Sequence, residues 1–200
     1  ASEEEITTIW DRFDLKGAGC RFGREGICCR ICNMGPCSIT KRFERGVCGA
    51  SADTIVARNL ARMIAAGAAA HSDHGRDVAH ALLLSAQGKA GDYKVKDESK
   101  LKALAAEYKI NTEGRKKEDI AKELADRILS EFGQQDGEIR MALRAPKKRV
   151  ELWRKLGIMP RGIDREVVEM MHRTVMGVGN DYKNILLQGM KVALSDGWGG

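Results

Sequence analysis

Six cysteines fall within 29 residues near the start of the chain: Cys20, Cys28, Cys29, Cys32, Cys37 and Cys48. The 152 residues from Gly49 onward contain none. Any fold open to this chain must gather those thiols in one glycine-rich, loop-like stretch. A disulfide framework would spread its cysteines across the structure, so the clustering points to ligands for a soft metal centre.

Spacing narrows the chemistry. Cys29 and Cys32 form a Cys-x2-Cys step, which lets two sulfurs reach one metal or one cubane face from a single turn of chain. Cys37 and Cys48 trail at wider gaps and complete a four-thiolate set for one [4Fe–4S] cluster. A structural zinc is the competing reading, but zinc sites commonly pair two tight knuckles, and only one is present. Cys20 and Cys28 are left over. Two thiolates cannot complete a cubane, so they are either buried free thiols or half of a site completed by an identical chain across a two-fold axis. Cys28 is bonded directly to Cys29, and neighbouring Cα atoms lie about 3.8 Å apart, so two centres served by this pair would be close.

The rest of the chain reads as mainly α, with residues 15–50 as a cluster-binding segment and 51–200 as a helical bundle. Ser2 and Glu5 resemble a capping box ahead of an apolar stripe of Ile6, Ile9, Trp10 and Phe13. One helix is expected from Asp53 to about Gly67 and a second from His71 to about Gln87. Further helices are expected over Leu101–Tyr108, Glu118–Phe132, Pro146 to Trp153, from Asp164, and from Asp181 to Leu194. The methionines Met170, Met171 and Met176 read as adaptable core. No alternating pattern long enough for a strand is present.

The formal charge of +6 raises the question of nucleic acid, but basic and acidic residues interleave. The tightest basic run, Lys147-Lys148-Arg149, reads as a solvated helix face. A zinc-stabilised basic module that binds nucleic acid or protein stays as the alternative from a different class. The acidic start lacks the features of a secretory leader, and no apolar run approaches the roughly 20 residues of a membrane span. A cytoplasmic, reducing compartment is therefore expected. His71, His74 and His80 fall at steps of three and six on a helix, with Asp77 between them, forming a slowly spiralling titratable stripe. From the residues alone that stripe reads as a polar helix face.

The string from Cys20 through Cys28-Cys29-Arg-Ile-Cys32-Asn-Met-Gly-Pro-Cys37, followed by Gly46-Val-Cys48-Gly, resembles the N-terminal region of anaerobic nickel–iron carbon monoxide dehydrogenases. Asp53-Thr-Ile-Val-Ala-Arg-Asn-Leu60, His71-Ser-Asp-His74, Leu156-Gly-Ile-Met-Pro-Arg-Gly-Ile-Asp-Arg165 and Asp196-Gly-Trp-Gly-Gly200 look like the same family. The resemblance implies a helical domain carrying two electron-relay clusters. One [4Fe–4S] cluster would sit on Cys29, Cys32, Cys37 and Cys48. Another would sit on the axis of a homodimer, held by Cys20 and Cys28 of each subunit. It further implies His71 as an acid/base group near the active site and His74 and His80 on a proton path, which Asp77 interrupts where some members carry histidine. The implied reaction converts CO and water into CO2, two electrons and two protons, with a ferredoxin-like acceptor and no nucleic-acid partner. The family's nickel–iron–sulfur ligands and Rossmann-like domains lie in sequence beyond the equivalent of Gly200, so this segment is expected to lack the nickel site. Hybrid-cluster proteins share the Gly-Val-Cys-Gly element, but their cysteine spacing differs.

Overall fold

The computed structural model describes residues 6–200. The Ser2–Glu5 capping box lies outside the described residues. The first helix, α1 (Ile9–Lys16), starts instead from Thr8. The Thr8 hydroxyl accepts from the Asp11 N–H while the Asp11 carboxylate accepts from the Thr8 N–H at 2.7 Å. Its apolar stripe stays outside the core, with Ile9, Trp10 and Phe13 all exposed.

A single turn, α2 (Arg21–Arg24), leads into two very short strands, β1 (Cys28–Cys29) and β2 (Cys37–Ser38), paired antiparallel. Two-residue strands are too short to leave an alternating pattern, which is why the sequence shows no sign of them.

The frame of the molecule is α3 (Ala52–Ala86), capped at Ser51. The two helices expected on either side of residues 67–71 are one rod of 35 residues, about 52 Å long. Gly67 costs the helix roughly 1 kcal/mol against alanine, but no proline or turn-forming pair follows it. Tertiary packing then decides. Ala61, Ala65 and Ala68 are fully buried against α7 (Ile163–Arg173) and α8 (Tyr182–Gly199), together with Met170, Ile185 and Val192. Small side chains at steps of three and four let these backbones approach closely.

A second packing layer is formed by α4 (Glu98–Glu107) and α5 (Lys117–Phe132), joined through Leu101, Ile120 and Leu124. A third gathers Phe132, Ile139, Trp153 and Ile163 under a 3-10 turn at Arg140–Arg144 and α6 (Lys147–Lys155). The run Lys147-Lys148-Arg149 is exposed, as expected of a solvated face. Helix α8 continues five residues past the expected Leu194. Trp198 packs against Trp153 with ring centroids 6.0 Å apart, and a Cβ on Gly199 would come within 2.6 Å of Ile163. Glycine is what allows the helix end to seat there.

Met170 is fully buried, whereas Met171 and Met176 are partly exposed. No helix among the described residues is long and apolar enough to cross a membrane.

A buried ion network ties α7 to the loop before it. The Glu166 side chain is fully buried and takes two guanidinium bonds and one backbone N–H bond from Arg161, with Gln188 and Lys191 beside it. Arg161 and Arg173 both also bond Glu169. Burial pushes both carboxyls up, but the bonds from these arginines outweigh it, leaving Glu166 below its ordinary value and Glu169 at about 2.

Candidate metal centre

The antiparallel pair sorts the adjacent cysteines. Successive side chains on a strand point to opposite faces, so Cys28 and Cys29 cannot share a side. Cys29 is buried and stands opposite Cys37 in the register, while Cys28 stands opposite Ser38, whose hydroxyl donates to the Cys28 sulfur at 3.7 Å. Cys32 lies in the turn between the strands. Cys48 lies in the tight turn Gly46–Ala50, closed by the Gly46 N–H on the Ala50 carbonyl at 2.8 Å, with Gly49 in the left-handed region at φ 84°.

Cys29, Cys32, Cys37 and Cys48 line one small cavity, walled by Ile31, Ile55, Arg58 and Met176. The structure thus brings together the four thiols that the spacing grouped. A Cβ on Gly35 would lie 3.0 Å from the Cys29 carbonyl oxygen, and one on Gly46 would lie 3.5 Å from the Cys37 sulfur. The close approach at Gly35 leaves no room for a side chain, whereas a Cβ at Gly46 would make only ordinary contact.

Burial pushes the Cys48 thiol up, but backbone N–H groups of Ala50 and Gly177 and the Arg58 guanidinium outweigh it and favour the thiolate. This donor set suits an iron–sulfur cubane: four thiolates, apolar walls, and N–H donors aimed at sulfur. Four thiolates on one zinc would lie within about 4 Å of one another. No three His, Cys, Asp or Glu side chains among the described residues converge as a site for a single ion.

Cys20 and Cys28 do not line that cavity. Cys20 is exposed at the cap of α2, in an open groove with Phe13, Lys16 and Arg24. Asn59 of α3 anchors the segment between them, donating to the carbonyls of Gly26 and Cys28 at 2.9 and 3.1 Å.

The histidines occupy the opposite half of α3. His71, His74 and His80 are all exposed, as is Asp77. His71 Nδ1 lies 2.7 Å from the carboxylate of Asp196 on α8. Among the described residues neither His74 nor His80 makes a side-chain hydrogen bond. The sequence reading passed over Asp196, Arg58 and Asn59. The one available signal was a polar pair, Arg58-Asn59, interrupting an otherwise apolar helix face.

The Prismane/CO dehydrogenase family pattern matches residues 27–200. The chain is 57% identical to carbon monoxide dehydrogenase 1 of Methanosarcina acetivorans, over all of this chain and 32% of that protein. It is 44% identical to carbon monoxide dehydrogenase 2 of Carboxydothermus hydrogenoformans, over 98% of this chain and 31% of that one. A nickel-free crystal structure of the carbon monoxide dehydrogenase from Thermococcus sp. AM4 superposes with a TM-score of 0.92 at 52% identity, covering all of this chain and 32% of the other. The chain therefore spans about a third of the length of these relatives. A mainly helical fold, four thiols around one cavity and a family match over residues 27–200 agree: the chain belongs to the Prismane/CO dehydrogenase family.

Proposed function

We propose that this chain is the electron-relay portion of a carbon monoxide dehydrogenase, whose whole reaction converts CO and water into CO2, two electrons and two protons. The observation that carries the reading is the split of Cys28 and Cys29 to opposite faces of β1, with Cys29 joining Cys32, Cys37 and Cys48 around one cavity. Those four would hold one [4Fe–4S] cluster. Cys20 and Cys28, with the same pair from a second copy, would hold another on the axis of a homodimer. Bound clusters of this kind accept and give up single electrons.

The chain's own residues do the rest. Ile31, Ile55 and Met176 place apolar side chains beside the thiols. His71 is the proton-handling group of this half, and the Asp196 carboxylate fixes its ring through Nδ1, leaving Nε2 free to exchange a proton. His74 and His80, with Asp77 between them, continue the titratable edge outward. The nickel chemistry belongs to sequence beyond this segment. The electron acceptor is a ferredoxin-like protein, and the compartment is cytoplasmic.

Metal and sulfide analysis after anaerobic purification tests this. Each chain is expected to carry roughly six irons, four from its own centre and half of a shared four, with matching acid-labile sulfide and no zinc. Sedimentation should give a dimer. One zinc per chain without sulfide would overturn the reading and favour a zinc-stabilised interaction module.

A further inference from the structure

Arg58 is the one arginine lining the thiol cavity, and it is 1% exposed. Burying a guanidinium is costly unless an anion answers it. Yet no carboxylate pairs with Arg58 among the described residues. Its Nη2 donates to the carbonyl of Gly179 and to Asn180 Oδ1 at 3.2 Å, both neutral acceptors. Its Nη1 donates to the Cys48 sulfur at 3.7 Å. Its Nε is the one buried side-chain polar atom among the described residues with no partner at all. The charge that answers this cation must therefore lie in the cavity.

Four thiolates around a cluster supply that negative charge. We propose that Arg58 is the counter-charge of the intra-chain cluster and sets its reduction potential. The inference rests on the relay reading above and adds to it a named residue and a direction. One electron entering the cluster makes the cavity more negative, with no bond made or broken. A fixed cation at its wall stabilises that reduced form over the oxidised one. Arg58 also spans to the turn at Gly179–Asn180, which the Thr54 hydroxyl anchors through the Asn180 carbonyl at 2.7 Å. Its guanidinium is thus held between Cys48 and that turn.

The test is a potentiometric titration of the anaerobically purified protein, followed by paramagnetic resonance at the signal that disappears in Cys32→Ala. Arg58→Gln should lower the equilibrium constant for one-electron reduction at least tenfold, a fall of about 59 mV. Arg58→Lys, which keeps the charge, should recover most of it. A second measurement needs no variant: with ¹⁵N-arginine labelling, the reduced wild-type cluster should show hyperfine coupling to an arginine nitrogen. An iron-bearing Arg58→Gln protein with unchanged potential overturns the proposal and leaves the relay reading intact. Iron-free wild-type protein overturns both. Should Arg58→Gln fail to hold iron, the labelled wild type decides, and absence of coupling counts against Arg58.

Discussion

Replacing Cys32 with alanine should strip the chain of its own cluster and leave the shared one, so iron falls from roughly six to roughly two per chain. Cys32 sits in the turn between β1 and β2, and beyond Cys29, Cys37 and Cys48 no His, Cys, Asp or Glu among the described residues lines the cavity to replace it. Three thiolates leave one iron of the cubane without a protein ligand, and the remaining wall, Ile31, Ile55, Met176 and the cationic Arg58, offers no thiolate or carboxylate in its place. The helical frame does not depend on the cluster, because the alanine seam of α3 packs on α7 and α8. Far-ultraviolet dichroism should therefore stay near the wild-type signal while the visible absorbance drops by more than half. Cys20→Ala should behave differently, losing about two irons per chain together with the dimer. If Cys32→Ala kept the full iron content, the assignment of the four-thiol site would be wrong.

Arg161→Ala should be the most damaging change away from the thiols. It leaves Glu166 with its side chain fully buried and only Lys191, at 3.6 Å, and Gln188 in support. Removing one partner from a buried pair costs about 3–5 kcal/mol. For a chain of this length each kcal/mol lowers the melting temperature by about 2–4 °C, so a drop of about 6–20 °C is expected in a thermal scan. Arg154→Ala is the control. Its partner Glu138 sits at the surface, and that pair should be worth less than about 1 kcal/mol.

The effect has a defined pH window. Glu166 and Glu169 are both held below 4.5 in the folded chain, Glu169 at about 2. A depressed carboxyl stabilises the fold above its unfolded value and loses that contribution as pH falls through the folded one. The gap between wild type and Arg161→Ala should be full above about pH 4.5 and close as pH approaches about 2. A gap that persisted at pH 2 would show that Arg161 acts by packing alone.

The grouping of four thiols around one cavity was legible because they are near neighbours in sequence: Cys29 to Cys48 span one short stretch, and spacing alone groups them. Helices α5 and α7 were legible because their apolar positions repeat at helical steps over many residues. What stayed hidden depends on chain that returns from far away. Arg58 meets Gly179 across 121 residues and His71 meets Asp196 across 125. No local pattern announces such pairs. The false break between Gly67 and His71 has the same origin. Local propensity weakens there, and burial of Ala65 and Ala68 against helices about 100 residues downstream overrides it. The two-strand ladder was missed for a different reason, since four residues carry no period.

Helix α3 also acts as a ruler. Thirteen residues separate Arg58, beside the thiolates, from His71, beside Asp196, and at 1.5 Å per residue that span is about 20 Å. No hinge interrupts it, so the thiol cavity and the His71–Asp196 pair are held at a fixed spacing on one unbending rod. Inserting a single residue at the exposed Gly67 would rotate one end against the other by about 100° and misalign the two sites without altering a side chain of either.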